Sequence, residues 1–253
     1  MRNIVLIGSG NVASHLGLSL LKKGYNIKQV WSKKLKNADI LAKRLNSIAT
    51  DNLNNLKNAD LYIVSVKDDN LASVIKQLKF DNIVHTSGSI GIEVFNTKSK
   101  NYGVLYPLQT FNKKIEIDFS TIPICIEGNN NKFENQLMKI GNDLSNNVIA
   151  MNSKKRIQLH IAAVFACNFT NHMFSIADSI LANVDLNFKL LIPLINQTVK
   201  KINNHKPSKV QTGPAKRNDK KVLKKHISNL TDKEVKEIYK IISKEIIKSN
   251  EKN

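Results

Sequence analysis

Apolar residues fall into two textures along the chain. Up to about residue 151 they come in short runs, separated by stretches where apolar residues recur at helical spacing. Ile4, Val5, Leu6 and Ile7 read as a strand, and Val12, Leu16 and Leu20 continue as a helix that Lys22, Lys23 and Gly24 end. The same reading gives strands at 27–31, 48–50, 61–66, 82–85, 104–106, 123–126 and 148–150, with helices over 37–46, 71–78 and 132–144. The run at 61–66 is continuously apolar, as in a strand covered on both faces. Strands alternating with helices predict an α/β fold built on a mostly parallel sheet.

Beyond residue 152 the strand signals stop. Asn152 or Ser153 can cap a long helix reaching about residue 183. A second helix is expected over 186–203, with Pro193 as a kink or break. Residues 205–218 read as a loop, and 219–229 and 231–248 as two further helices, the last opened by a capping box of Thr231 and Glu234. The expected organisation is a Rossmann-like α/β domain over 1–151 and an all-α domain over 152–253.

The junction of the first strand and helix carries the strongest chemical signal. Gly8, Ser9, Gly10, Asn11, Val12 and Ala13 form a G-x-G-x-x-A turn between strand and helix, the arrangement that binds a dinucleotide pyrophosphate. Gly8 permits the tight turn, Gly10 leaves room for the phosphates, and Ala13 lets helix and strand pack closely. At the end of the second strand an NAD-binding fold places a carboxylate; here Trp31 is followed by Ser32, Lys33 and Lys34. A hydroxyl and two ammonium groups suit a 2′-phosphate, so the expected cofactor is NADP. The other reading of Lys33 and Lys34 is as ordinary surface lysines.

Ligands of open parallel sheets bind beyond the carboxyl ends of the strands. Ser65, Val66 and Lys67 fall there after the 61–66 run and are expected beside the cofactor; capping of the next helix is the alternative for Lys67 and Asp68. Ser87, Gly88 and Ser89 follow the 82–85 strand and can meet substrate with hydroxyls and a bare backbone, or form a plain turn. The helix from 154 onward is apolar enough to predict burial, yet His160, Asn168, Asn171, Ser175 and Asp178 fall along one stripe of it. Such a stripe needs partners. It can bond to neighbouring helices or across a dimer interface, or it can face the reaction, with His160 as general acid and Asn168 or Asn171 orienting substrate. In the 205–218 loop Arg217 can clamp an anionic group, or the loop can serve as a rigid turn.

Composition narrows the classes. The chain has 253 residues, 42% of them hydrophobic, enough for one large or two modest cores. Its formal charge is +19, but only four basic residues are Arg and the Lys are spread along the whole length, so no nucleic-acid partner is expected. Two cysteines do not make a secreted disulfide framework. No run approaches a membrane span and no metal-ligand spacing stands out, so a cytoplasmic protein without a metal is expected.

Taken together, the 8–13 turn, His85-Thr-Ser-Gly-Ser89, Tyr106-Pro-Leu-Gln-Thr-Phe111, the 160–172 segment and Thr212-Gly-Pro-Ala-Lys-Arg-Asn-Asp219 resemble a bacterial family pairing a Rossmann-like domain with a helical C-terminal domain of unknown function 2520. Many members carry Gly where Asn218 stands. The family is similar in architecture to pyrroline-5-carboxylate reductase, ketopantoate reductase and 6-phosphogluconate dehydrogenase. In the hydroxyacid dehydrogenases of that wider group a Lys on the first helix of the helical domain is the acid–base residue; His160 occupies that region here. The resemblance implies an NADP-dependent oxidoreductase, exchanging a hydride with a carbonyl or imine of a small anionic metabolite, and a homodimer built through the helical domain. The rival is a non-catalytic dinucleotide-binding or regulatory protein.

Overall fold

The computed structural model describes residues 1–95 and 99–251. Among them, β1 (Asn3–Ile7), β2 (Asn26–Trp31), β3 (Ile48–Thr50), β4 (Leu61–Val64), β5 (Asn82–His85), β6 (Asn101–Pro107), β7 (Ile124–Gly128) and β8 (Val148–Ala150) make one sheet. Its order is β3-β2-β1-β4-β5-β6-β7-β8. Every neighbouring pair is parallel except β6 with β7. Strand order reverses at β1, which lies between β2 and β4, so a crevice opens at the carboxyl ends of β1 and β4.

The helices α1 (Asn11–Lys22), α2 (Leu35–Arg44), α3 (Asp68–Ile75) and α4 (Asn131–Leu144) cover the two faces. Alternation along β1 divides the core: Ile4 and Leu6 pack with Leu16, Leu41 and Phe133, while Val5 and Ile7 pack with Tyr62, Leu71 and Phe95. The four apolar side chains of β1, Ile4 to Ile7, are fully buried, which is why the run is unbroken in the sequence. β6 starts earlier than its apolar run because its first residues are tied by polar side chains: the Asn101 amide donates to Asn82 Oδ1 at 2.8 Å. β4 ends earlier than expected, at Val64, where the chain turns to meet the glycine turn after β1.

Beyond β8 the described chain is helical: α5 (Ser153–Ala163), a π-helical turn (Val164–Phe169), α6 (Thr170–Ala182), α7 (Ile192–Asn204), α8 (Lys220–Asn229) and α9 (Lys233–Glu251). Two compact units result, Met1–Phe169 and Thr170–Asn253, with α5 and the π turn in the first. Three expectations need correction. The helix from 153 is not buried: Phe165 is 64% exposed, and Ile161 and Phe169 are also exposed, so its apolar run does not reflect burial within one chain. Pro193 sits in the first turn of α7 rather than inside it, where the missing N–H costs no helical bond. Finally, Asp232 rather than Thr231 caps α9, accepting the Val235 N–H at 2.9 Å.

Candidate functional site

The turn after β1 is shaped by two glycines with different reasons. Gly8 has φ +131, and a Cβ there would lie 2.0 Å from the Ser65 carbonyl oxygen, so the turn presses on the exit of β4. A Cβ on Gly10 would meet nothing within 4 Å, which leaves a bare cradle. Gly10 is also the N-cap of α1 and has no side chain to cap it, and the first turn carries no acid. The first intrahelical bond runs from Ser14 N–H to Gly10 O, which leaves the N–H groups of Asn11, Val12 and Ala13 for a ligand.

A segment after β6 reaches this turn from far along the chain. The Asn11 amide donates to Phe111 O at 2.8 Å, and a His15 ring nitrogen lies 2.9 Å from Asn112 O. The Lys113 ammonium donates to Ser9 O at 2.6 Å. An ammonium beside an uncapped helix start places positive charge on positive, an arrangement that an anion relieves. Ser9 also donates its hydroxyl to Ser32 Oγ at 3.0 Å, which joins the turn to the end of β2. There Lys33 is exposed and Lys34 is the N-cap of α2, whose first turn holds no acid. Bare glycines, free N–H groups, lysines and the absence of a carboxylate on these two helix starts fit a dinucleotide with a 2′-phosphate.

Further along the same edge, the ends of β4, β5 and β6 gather a second group. Thr86 donates its hydroxyl to Ser65 Oγ at 3.1 Å. Ser87 Oγ accepts the N–H groups of Ser89 and Ile90, each at 3.1 Å, and lies 3.3 Å from Ser89 Oγ. The Ser89 hydroxyl donates to the Asp68 carboxylate at the start of α3. Val66 is half-buried and Lys67, the N-cap of α3, is exposed. Gly88 lies against a tyrosine–histidine pair: a Cβ on it would fall 2.6 Å from Tyr106 Cζ and 2.7 Å from His160 Nδ1. Tyr106 Oη and His160 Nδ1 are 3.0 Å apart, with the rings edge to face. Burial, with Cys125 nearby, pushes the Tyr106 phenol up to about 12, so it keeps its proton.

His85, just before the serine loop, is fully buried and stacks on Phe95. Burial first, then the Arg156 guanidinium, lowers it to about 3, so it is neutral, and its Nδ1 accepts the Ser87 N–H at 3.1 Å. It holds the loop in place and is not available as an acid.

A buried ion pair fixes α5 beneath this loop. Arg156, with no exposed surface, pairs with Glu127 on β7 and donates to Ile90 O at 2.6 Å and Ser153 Oγ at 3.2 Å. Glu127 also accepts the Ser153 N–H and hydroxyl, both at 2.8 Å. Ser153 Oγ in turn accepts the Ile92 N–H at 2.9 Å. The network joins β7, the first turn of α5 and the segment just after Ser89.

The structure therefore brings His160, Ser87, Gly88 and Ser89 together, and gathers Gly8 to Ala13 with Ser32. Asn168 is exposed on the π turn, whose wider turn breaks the helical period that aligned it with Asn171. Asn171 is exposed on α6, in the second unit. Arg217, also in the second unit, is engaged rather than free: its guanidinium holds Asp219 Oδ2 at 2.8 and 2.9 Å. Neighbouring Asn218 has φ +56, the left-handed conformation glycine adopts readily. Sequence reading missed Lys113, Tyr106 and the Glu127–Arg156 pair as parts of the site. The available signals were a charged residue inside the apolar 124–128 strand and one of only four arginines at the start of α5.

Comparison with known proteins adds independent observations. Residues 122–246 match the model of a domain of unknown function, DUF2520, and residues 3–93 match the model described as NADP oxidoreductase coenzyme F420-dependent. The chain is 38% identical to a "putative NADP oxidoreductase" from Bacteroides fragilis, covering 98% of each chain, with a TM-score of 0.92 between the structures. A Thermotoga maritima protein is 22% identical over 98% of each chain, with a TM-score of 0.71. An imine reductase from Myxococcus stipitatus, solved with NADP+, is 15% identical over 99% of this chain and 93% of its own, with a TM-score of 0.64. These last two likenesses are of fold alone. None of the curated proteins matches.

Proposed function

The chain belongs to the family that joins a Rossmann-like domain to the domain of unknown function 2520, and on that premise we propose that it is an NADP-dependent oxidoreductase acting on a carbonyl or imine of a small metabolite. The observation that carries this reading is the pair of uncapped, acid-free helix starts, α1 and α2, joined by the Ser9–Ser32 hydrogen bond. The first suits a pyrophosphate and the second a 2′-phosphate. Lys33, Lys34 and Lys113 supply the countercharge.

When bound, the nicotinamide supplies a hydride and its electron pair to the substrate carbon. The protein's own work is binding, orientation and proton handling. Ser65, Val66 and Lys67 border the crevice between β1 and β4. Ser87, Gly88 and Ser89 offer hydroxyls and bare backbone to the substrate. His160 polarises the carbonyl or imine as hydride arrives, and takes the place of the lysine used by hydroxyacid dehydrogenases. Asn168 and Asn171 remain candidates for orienting substrate. Arg217, which pairs with Asp219 on an exposed turn, is the candidate for holding an anionic group of the substrate. Two free cysteines agree with a cytoplasmic setting. The exposed apolar side chains of α5 and of the second unit support a homodimer.

Isothermal titration with NADPH and NADH tests the proposal. NADPH is expected to bind at least tenfold more tightly, with Lys33→Ala/Lys34→Ala narrowing the gap, since each lost phosphate contact is worth about 1.5–3 kcal/mol. Equal affinity for the two, or binding of neither, overturns it. The non-catalytic rival would bind NADPH yet show no turnover across a panel of carbonyls and imines.

A further inference from the structure

We propose that Tyr106 is a positioning residue that holds Nδ1 of His160, so that the neutral imidazole carries its proton on Nε2 and presents an N–H to the substrate. The proposal rests on the reading of His160 as the proton-handling group. It narrows the substrate to a group with an acceptor lone pair, a carbonyl oxygen or an unprotonated imine nitrogen.

The argument begins from which partner donates. Tyr106 Oη and His160 Nδ1 are 3.0 Å apart. A phenol has one proton to give, and Tyr106 is buried near the end of β6 with His160 its only hydrogen-bond partner among the described residues. If Nδ1 carried the imidazole proton, the phenol could only accept, and its own O–H would be left bare in a buried site. If Tyr106 donates to Nδ1, both groups are satisfied and the imidazole proton must sit on Nε2. Leaving a buried donor unpaired is the more expensive choice. Gly88 makes the contact possible, since any side chain there would be forced into both rings.

The chemical consequence is directional. A neutral imidazole with Nε2–H is a hydrogen-bond donor and not a base at that nitrogen. It can polarise a carbonyl or imine that is about to accept hydride. A substrate already protonated at the reacting nitrogen would meet donor with donor. Tyr106 itself does not give up its proton, because a tyrosinate in this buried setting is far from reach near neutrality. It acts through His160.

The test uses the full chain labelled with 15N-histidine, with His160 assigned by comparison with His160→Gln, and long-range 1H–15N spectra recorded where the imidazole is neutral. Wild type is expected to show the Nε2–H tautomer. In Tyr106→Phe the ratio of Nε2–H to Nδ1–H should fall roughly fivefold, the worth of one neutral hydrogen bond. Gly88→Ala, which drives the rings apart, should shift the ratio the same way and serves if Tyr106→Phe does not fold. A wild-type Nδ1–H tautomer, or an unchanged ratio in the folded variant, overturns the proposal. An NADPH titration of the same wild-type sample separates the two ideas: failure to bind sinks the proposed function while the tautomer result stands or falls by itself.

Discussion

Replacing His85 by Asn should make the protein less sensitive to mild acid, even where it lowers stability at neutral pH. His85 is fully buried, with its Nδ1 tied to the Ser87 N–H at 3.1 Å and its Nε2 near the Gly91 backbone. Burial and the Arg156 charge hold its folded value near 3, against 6.5 for the free group. The folded state therefore stays unprotonated while the unfolded chain takes up a proton below pH 6.5. The unfolded state binds more protons, so stability falls as pH falls, from about 6.5 down towards 3. At pH 5 the unfolded chain lies about 1.5 pH units below its own midpoint, which at about 1.4 kcal/mol per unit gives a loss of about 2 kcal/mol from this one residue. Asn keeps an acceptor where Nδ1 stands but has no proton to bind. Trp31, the single tryptophan and buried in the first unit, gives a fluorescence signal for urea unfolding of that unit. Wild type should lose about 2 kcal/mol more than His85→Asn between pH 7 and pH 5. All other titrating groups act equally in both proteins and cancel, so parallel losses would refute the reasoning.

Removal of one member of the buried ion pair should cost more than removal of both. Arg156→Met leaves Glu127 buried without its cation and should lose about 3–5 kcal/mol by urea titration, whereas Glu127→Gln/Arg156→Met should recover a good part of it; a single variant no worse than the double would contradict this. Size-exclusion chromatography with light scattering should return a mass of two chains, since Phe165, Leu190, Leu194 and Ile241 are each close to two-thirds exposed in the single chain; a monomer at micromolar concentration would overturn the proposed homodimer.

Much of the fold was legible because one rule governs it. A parallel sheet covered on both faces leaves unbroken apolar runs, and β1 is legible at nearly its observed bounds for that reason. The glycine turn was legible because its geometry is local: Gly8, Gly10 and α1 are adjacent in sequence. What stayed hidden depends on long-range contacts. Lys113 lies 104 positions from Ser9, and Tyr106 lies 54 from His160, so no spacing links them. The π turn hid for a different reason. An extra residue per turn leaves no mark in residue type, yet it changes the phase of everything after it, so the stripe running from His160 to Asn171 was drawn with the wrong period. Burial of that helix does not follow from its apolar run, because residue type alone does not say whether a surface is covered.

The Glu127–Arg156 pair has a role that stability alone does not explain. A buried ion pair is often no better for stability than well-packed apolar residues of the same volume. Its distinctive property is direction. Glu127 accepts two bonds from Ser153, the first residue of α5, and Arg156 spans from Glu127 to the carbonyl of Ile90. Ile90 is two residues beyond Gly88, and His160 is one helical turn beyond Arg156. The ends of the network thus lie close to the two partners that must meet, Gly88 and His160. A Cβ on Gly88 would already intrude on the imidazole, so the gap is set to within less than one carbon atom. Apolar packing can fill the same space but slides easily along a helix axis; paired, directional bonds resist that sliding. The separation of the serine loop from the tyrosine–histidine pair is thereby fixed by chemistry on the far side of the loop, before any ligand arrives.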